Sequence, residues 1–199
     1  MNPKGGQGLR GSANLVSKAF TAGPFQLRAA RPEDADAIAA LHVRVWRETY
    51  RDLATPEAYA ALTEEVRRER WREALATQPV RHQTLVAEQQ GRIVAFGSAC
   101  APTEPLFGDR GEVRWLHVDG EFSRRGLGRR LMSALAGQLR DWDYRGCALA
   151  VVEGNQPAID FYDRLGGRRV GAFVDPGPLW RSSNLVFVWD DLTGLLELA

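Results

Sequence analysis

Leucine returns at every fourth position along Leu127, Leu131, Leu135 and Leu139, with Ala134 and Ala136 between them, which is the apolar stripe of a helix laid on a sheet. Just upstream, Glu112-Val113-Arg114-Trp115-Leu116-His117-Val118 is rich in β-branched and aromatic residues and is bounded by Gly108 and Gly111, which is how a strand reads. A strand therefore feeds a helix through a short connection. Comparable patterning predicts further strands at residues 25–30, 83–88, 92–100, 147–152, 168–174 and 184–189. Helices are predicted from Arg31-Pro32-Glu33-Asp34 to about Trp46, and over roughly residues 55–76 behind the turn chemistry of Thr55-Pro56-Glu57. One more short helix is capped by Asn155, accepts Pro157 in its first turn and stops at Gly166-Gly167. In it Ala158, Phe161, Tyr162 and Leu165 fall at i, i+3, i+4 and i+7, so Tyr162 points to the packed side. Helices set between mostly consecutive strands give an α+β sandwich around one mixed sheet. Residues 1–24 carry Gly-Gly, lone prolines and weak patterning, so they are expected to be a flexible N-terminal leader before a single domain at 25–199.

The connection between the central strand and helix holds the most distinctive chemistry. In Ser123-Arg124-Arg125-Gly126-Leu127-Gly128-Arg129-Arg130, four arginines crowd a helix N-terminus with no acidic residue among them. That end of a helix already carries partial positive charge and unpaired N–H groups, so the cluster calls for an anion such as phosphate. Gly126 and Gly128 let a ligand lie against the backbone. Two familiar phosphate loops are excluded. Leu131 stands where a dinucleotide fingerprint wants its third glycine, and the Gly-Lys-Ser/Thr of a Walker A loop is absent.

The run Val118-Asp119-Gly120-Glu121-Phe122-Ser123-Arg124-Arg125-Gly126-Leu127-Gly128 resembles the acyl-CoA loop of the GCN5-related N-acetyltransferase superfamily, Val-Asp-Pro-Glu-Tyr-Arg-Gly-Arg-Gly-Ile-Gly. Ser123 departs from it, standing where Arg or Gln is usual. About forty residues on, Asn155-Gln156-Pro157-Ala158-Ile159-Asp160-Phe161-Tyr162-Asp163-Arg164-Leu165-Gly166 is similar to the superfamily's second signature, Asn-x-x-Ala-x-x-Phe-Tyr-x-x-x-Gly. The resemblance implies the acyl-CoA N-acyltransferase fold, with a mixed central sheet, flanking helices and a splayed strand pair that acyl-CoA wedges open. It implies that main-chain N–H groups from Arg124, Arg125, Gly126, Leu127, Gly128 and Arg129 hold the CoA pyrophosphate. Leu116, His117 and Val118 would pair with the pantetheine arm. The implied activity is transfer of an acetyl group from acetyl-CoA to a primary amine of a small molecule, by direct attack in a ternary complex. A protein lysine or N-terminal acetyltransferase and a non-catalytic acyl-CoA sensor are the rival readings, and a homodimer stays open.

Composition narrows the surroundings. The 199 residues, 44% of them hydrophobic, suffice for one substantial core. A formal net charge of +1 makes the arginine cluster a local feature, so nucleic acid is not an expected partner. No apolar run approaches the ~20 residues of a membrane span, and the N-terminus lacks the apolar core of a secretory signal. Two cysteines, Cys100 and Cys147, suit a reducing cytoplasm, and His42, His82 and His117 show no ligand spacing, so no metal is expected.

Acetyl transfer to an amine needs a base, an oxyanion donor and a proton for the departing thiolate. Glu112 is the candidate base: it lies six positions before Val118, as does the glutamate of the histone acetyltransferase branch, and by alternation shares a strand face with Leu116. Otherwise it is an exposed strand residue or pairs with Arg114 or Arg110, and a water chain is the base, as in many members of the superfamily. Tyr162 matches the tyrosine that in this superfamily usually protonates the thiolate; the alternative is a tyrosine that packs on the cofactor. Asn155 would approach the pantetheine or an ordered water, or simply cap its helix. The oxyanion would meet a backbone N–H at the strand end, that of Val118. Aromatic side chains such as Trp46, Tyr50, Tyr59, Trp71, Phe173 and Trp180 are available as acceptor walls or as core.

Overall fold

In a computed structural model, which describes residues 25–77, 79–178 and 180–198, seven strands make one mixed sheet. They are β1 (Gln26–Ala29), β2 (His82–Gln89), β3 (Arg92–Cys100), β4 (Gly111–Val118), β5 (Cys147–Val152), β6 (Arg168–Asp175) and β7 (Ser182–Trp189). The order across the sheet is β1-β2-β3-β4-β5-β7-β6. The leader expected at residues 1–24 lies outside the described residues.

Every neighbouring pair is antiparallel except β4 and β5, which run parallel and meet only at Gly111 with Cys147 and Glu112 with Ala148. Beyond those two rungs β4 stays with β3 as far as Val118, while β5 follows β7 to Val152. The strands therefore part, and the expected splay is present. It opens toward the C-terminal end of β4, where the arginine loop begins.

Helices cover both faces. On one, α4 (Leu127–Asp141) buries Leu127, Leu131, Leu135 and Leu139 essentially completely, together with Met132 and Ala136. Each such leucine contributes about 2 kcal/mol of apolar burial, and together they fix the helix that follows the loop. On the other face α1 (Ala35–Thr49) and α3 (Glu64–Thr77) pack Ile38, Leu41, Val45, Trp71 and Leu75 against Val86, Ile93 and Phe96 of the sheet.

Two expectations need correction. The helix predicted over 55–76 is two helices, α2 (Pro56–Ala61) and α3. The chain breaks at Leu62, which turns extended (ψ 94°), buries its side chain completely and gives its carbonyl to the Arg47 guanidinium at 2.9 Å, while the Thr63 hydroxyl accepts the N–H of Val66. Tertiary contacts there outweigh local helix propensity. The second correction concerns β4. Ser98 faces Arg114 but Phe96 faces His117, so β4 carries one extra residue, a bulge at which Trp115 takes φ 54°. The bulge reverses the alternation. Val113 before it and Leu116 and Val118 after it pack with the α4 side, whereas Trp115 packs with α1 and α3. Glu112 and Leu116 consequently lie on opposite faces. The last helices are α5 (Gln156–Arg164) and a short C-terminal turn, α6 (Thr193–Leu196), which the hydrophobic pattern did not predict and which ties to α4 through the Ser133 hydroxyl and the Leu196 carbonyl.

Candidate active site

The loop between β4 and α4 is built to present amides. Asp119 ends β4, accepts the N–H of Glu121 and sits between the guanidinium groups of Arg44 and Arg92, each at 2.7 Å. These partners hold its carboxyl below its ordinary range against the opposing effect of burial. Acidic charge at the loop's start is thus neutralised by α1 and β3. The four arginines beyond it have no ion-pair partner among the described residues. Arg124 (φ 59°) and Gly126 (φ 77°) adopt left-handed backbone, and successive residues of opposite hand turn their N–H groups to a common side. Ser123 still donates to Gly120, and Arg130 opens the helical ladder by donating to Gly126. Between them, no amide from Arg124 to Arg129 donates to a protein acceptor among the described residues. Arg124, a non-glycine residue held left-handed, begins this run of six unpaired amides at a helix N-terminus, which is the arrangement that suits an anion. Gly128 serves a different purpose, since a Cβ there would press on the Phe161 ring at 3.3 Å, so its absence lets α4 and α5 meet.

The splay supplies a second row of free main-chain groups. Asp119 donates its N–H to Val94 across the antiparallel ladder, so the N–H of Val118, one residue earlier, points to the opposite edge, from which β5 has departed. By the same alternation Leu116 and Val118 offer backbone to that gap, whereas His117 turns its backbone to β3. Phe122 lies against the guanidinium groups of Arg92 and Arg125 at 5.5 and 5.4 Å and meets Phe25 edge-on at 5.9 Å.

Tyr162 stands on α5 with its ring against Phe187 (5.7 Å) and Trp189 (6.2 Å) of β7, and is 7% exposed. Its hydroxyl takes no hydrogen bond from the protein among the described residues. Burial pushes the phenol's pKa up, and the neighbouring Tyr50 phenol and Cys147 thiol add to that. The group is therefore protonated at neutral pH. Asn155 caps α5, accepting the N–H of Ala158 at 3.4 Å, and its side chain also faces the buried phenol of Tyr50 at the end of α1. Tyr50, Asn155 and Tyr162 are thereby brought together from two elements.

Glu112 is buried where β4 and β5 still pair. Its Oε2 accepts the Thr103 N–H at 2.9 Å and hydroxyl at 2.7 Å, while Oε1 faces Arg114 Nε at 3.1 Å. Burial raises the carboxyl's pKa, opposed by Arg114 and Thr103. Arg110 goes instead to Asp190. Six residues of strand span ~20 Å, so Glu112 touches neither the loop nor Val118.

The aromatic side chains named from the sequence assemble in ways that it did not show. His42, Trp46 and Tyr50 recur every fourth residue on the inner side of α1, a spacing that could have grouped them. His42 accepts the indole N–H of Trp71 at 3.1 Å and packs on His117 with ring centroids 4.9 Å apart. Burial and the charge of Arg67 pull His117 down to about 4, so it is neutral at physiological pH. Trp180, from the β6–β7 connection, packs on Trp46 and Tyr50 at 6.2 and 5.6 Å, and Tyr59 closes on Trp46 at 5.6 Å. Trp71 belongs to the core, 3% exposed beneath Phe96 and Trp115. A separate cleft beyond the first residues of β4 and β5, lined by Arg81, Asp109, Trp142, Tyr144 and Asp190, contains none of these groups. Among the described residues no cluster of His, Cys, Asp or Glu is arranged to hold a metal, both cysteines are free, and no helix is long and apolar enough to cross a membrane.

The family model for acetyltransferases of the GNAT family matches residues 43–167. The chain is 26% identical over 174 residues to the uncharacterized N-acetyltransferase YuaI of Bacillus subtilis (strain 168), covering 86% of this chain and 96% of that protein. Among solved structures it is similar in fold to the PaiA N-acetyltransferase of Thermoplasma acidophilum in complex with coenzyme A, with a TM-score of 0.67 at 15% identity over 82% of this chain and 97% of that one. It is similar also to a ribosomal-protein-alanine N-acetyltransferase from Brucella melitensis (TM-score 0.61, 22% identity, 82% and 98% covered). A third relative in fold is YncA of Salmonella typhimurium with its cofactor acetyl-CoA (TM-score 0.61, 17% identity, 84% and 94% covered).

Proposed function

The chain belongs to the acetyltransferase (GNAT) family and is an acetyl-CoA-dependent N-acetyltransferase, and from that premise we propose that it acetylates a primary amine of a small molecule by direct attack within a ternary complex. The observation that carries the reading is the run of unpaired amides from Arg124 to Arg129 at the mouth of the splay. They bind the CoA diphosphate, and the surrounding guanidinium groups are neutralised as it seats. The pantetheine then lies along the open edge of β4 from Leu116 to Val118, pairing with the backbone of Leu116 and Val118, while His117 between them keeps its backbone on β3.

In the wedge the thioester carbonyl faces the Val118 N–H, which meets the oxyanion as the amine attacks. Collapse of the tetrahedral intermediate breaks the C–S bond and forms the amide. Tyr162 donates its proton to the departing thiolate, and the amine's proton is taken up in turn through solvent. A buried phenol is a weak acid, but a thiolate buried beside it is a correspondingly stronger base, so the transfer stays matched. Glu112 acts as base through water, its raised pKa bringing it toward neutrality. Asn155 holds Tyr50 at the acceptor side.

The aromatic closure of Trp46, Tyr50, Tyr59 and Trp180 favours a small acceptor over an open peptide groove. A thiol-release assay with a library of amines and of peptides tests the reading: turnover with small amines is expected, and turnover with peptides alone, or CoA binding without any thiol release, contradicts it.

A further inference from the structure

The arginines of α3 are not alike. Arg72 forks onto Asp36 at 2.9 and 3.0 Å, and Arg68 has Asp36, Glu64 and Glu65 within ion-pair distance. Arg67 points to the sheet. Its Nε, like that of Arg68, is buried without any hydrogen-bond partner, but unlike Arg68 its guanidinium makes no ion pair among the described residues. The groups that face it are His42 from α1 and His117 from β4, neither of which brings negative charge, and Arg70 adds more positive charge. The buried acidic groups of β4 and the loop after it are committed elsewhere: Glu112 to Thr103 and Arg114, and Asp119 to Arg44 and Arg92. Burial with that surplus lowers the guanidinium to about 10. A largely buried cation without a counter-ion is costly unless an anion joins it. The residue as a whole is half-buried, so it is not sealed from solvent.

Arg67 also lies on the right face. His117 and Trp115 project from β4 toward α1 and α3, on the side away from α4 and next to the open edge that offers Val118. We propose that Arg67 is the anion-binding group of the acceptor site, so that the amine this enzyme acetylates also carries a carboxylate or a phosphate. The inference rests on the acetyl-transfer reading above. It assigns the two poles of the acceptor: the anion forks onto Arg67 over the histidine pair, and the amine is left at the end of β4 where the thioester arrives. A guanidinium suits this task because it stays charged and meets either oxyanion with two parallel hydrogen bonds.

Matched amines test it. Phenylalanine against phenethylamine reads a carboxylate, and phosphoethanolamine against ethanolamine reads a phosphate. In the wild type the anionic member of at least one pair is expected to have the higher kcat/KM, with Arg67→Met reducing that preference at least about tenfold, mainly through KM, and Arg67→Lys restoring part of it. Equal or better use of the neutral amines, or a preference that survives Arg67→Met, overturns the proposal. CoA titration by calorimetry reports whether each variant is folded, and Arg67→Gln replaces Arg67→Met if the latter is not. Should no amine release thiol although CoA binds, the acetyl-transfer reading fails, and the assignment of Arg67 is decided by melting in phosphate and in acetate at saturating CoA. An anion-dependent rise in Tm confined to the wild type then supports it, and equal rises in both proteins, or no rise in the wild type, overturn it.

Discussion

Glu112 lies opposite Ala148 at the last rung that β4 and β5 share. From that rung the strands separate, and what they expose differs along the gap. Its closed end holds a carboxylate bound by Thr103 and Arg114, and its open end holds the unpaired amides of Arg124 to Arg129. One irregularity in the sheet thus places a titrating group and an anion site on a single line of backbone.

Gly126→Val separates the loop's binding role from its structural one. The residue has φ 77°, and a Cβ added there meets nothing within 4 Å, so the cost to the fold is backbone strain alone, about 2 kcal/mol for a β-branched residue. The melting temperature should drop by a few degrees, while calorimetry should show CoA affinity weakened at least about tenfold because the amides can no longer converge.

Tyr162→Phe should lower kcat by about 100-fold or more and leave the acetyl-CoA KM within about twofold. The hydroxyl makes no protein hydrogen bond among the described residues, so its loss should cost little stability. Steady-state kinetics beside a thermal melt distinguishes a proton donor from a packing tyrosine, for which kcat would be unchanged.

Glu112→Gln should alter two pH profiles. Burial lifts the Glu112 carboxyl above its ordinary 4.5, so the folded chain keeps that proton to higher pH than the unfolded one. Its contribution to stability is therefore full below 4.5 and is lost as pH rises through the folded value. Urea unfolding of the wild type should show this decline and the variant should not. In the rate profile the limb that rises with pH should flatten in the variant.

His117→Gln should improve acid tolerance. The folded His117 titrates near 4 against an ordinary 6.5, so the unfolded chain binds a proton first, and stability is lost as pH falls from 6.5 toward 4. The loss is about 3–4 kcal/mol at most for this one group. Unfolding titrations should have a slope against pH that is shallower by up to one proton in the variant over that interval.

The loop and both signature helices were legible because their determinants are local. Gly126 stands where φ must be positive, Asn155 and Pro157 mark a helix start, and the leucines of α4 repeat with the helix turn. The parting of β4 and β5 came from the resemblance alone, since periodicity carries no trace of where two strands cease to pair. The bulge at Trp115 was missed for a related reason: it is set by the ladder with β3, and a strict alternation put Glu112 and Leu116 on one face when they lie on two. The break at Leu62 and the approach of Trp180 to Trp46 are tertiary events, made by residues far apart in the chain. The same holds for Arg67, whose want of a partner is visible only once α3, His42 and His117 are assembled.

The most direct measurement is a crystal structure of the protein with CoA. The diphosphate should accept hydrogen bonds from the amides between Arg124 and Arg129, with the pantetheine along Leu116 to Val118 and the sulfur beside Tyr162. A diphosphate seated elsewhere, as in the cleft between Trp142 and Tyr144, with those amides left in solvent, would contradict the account.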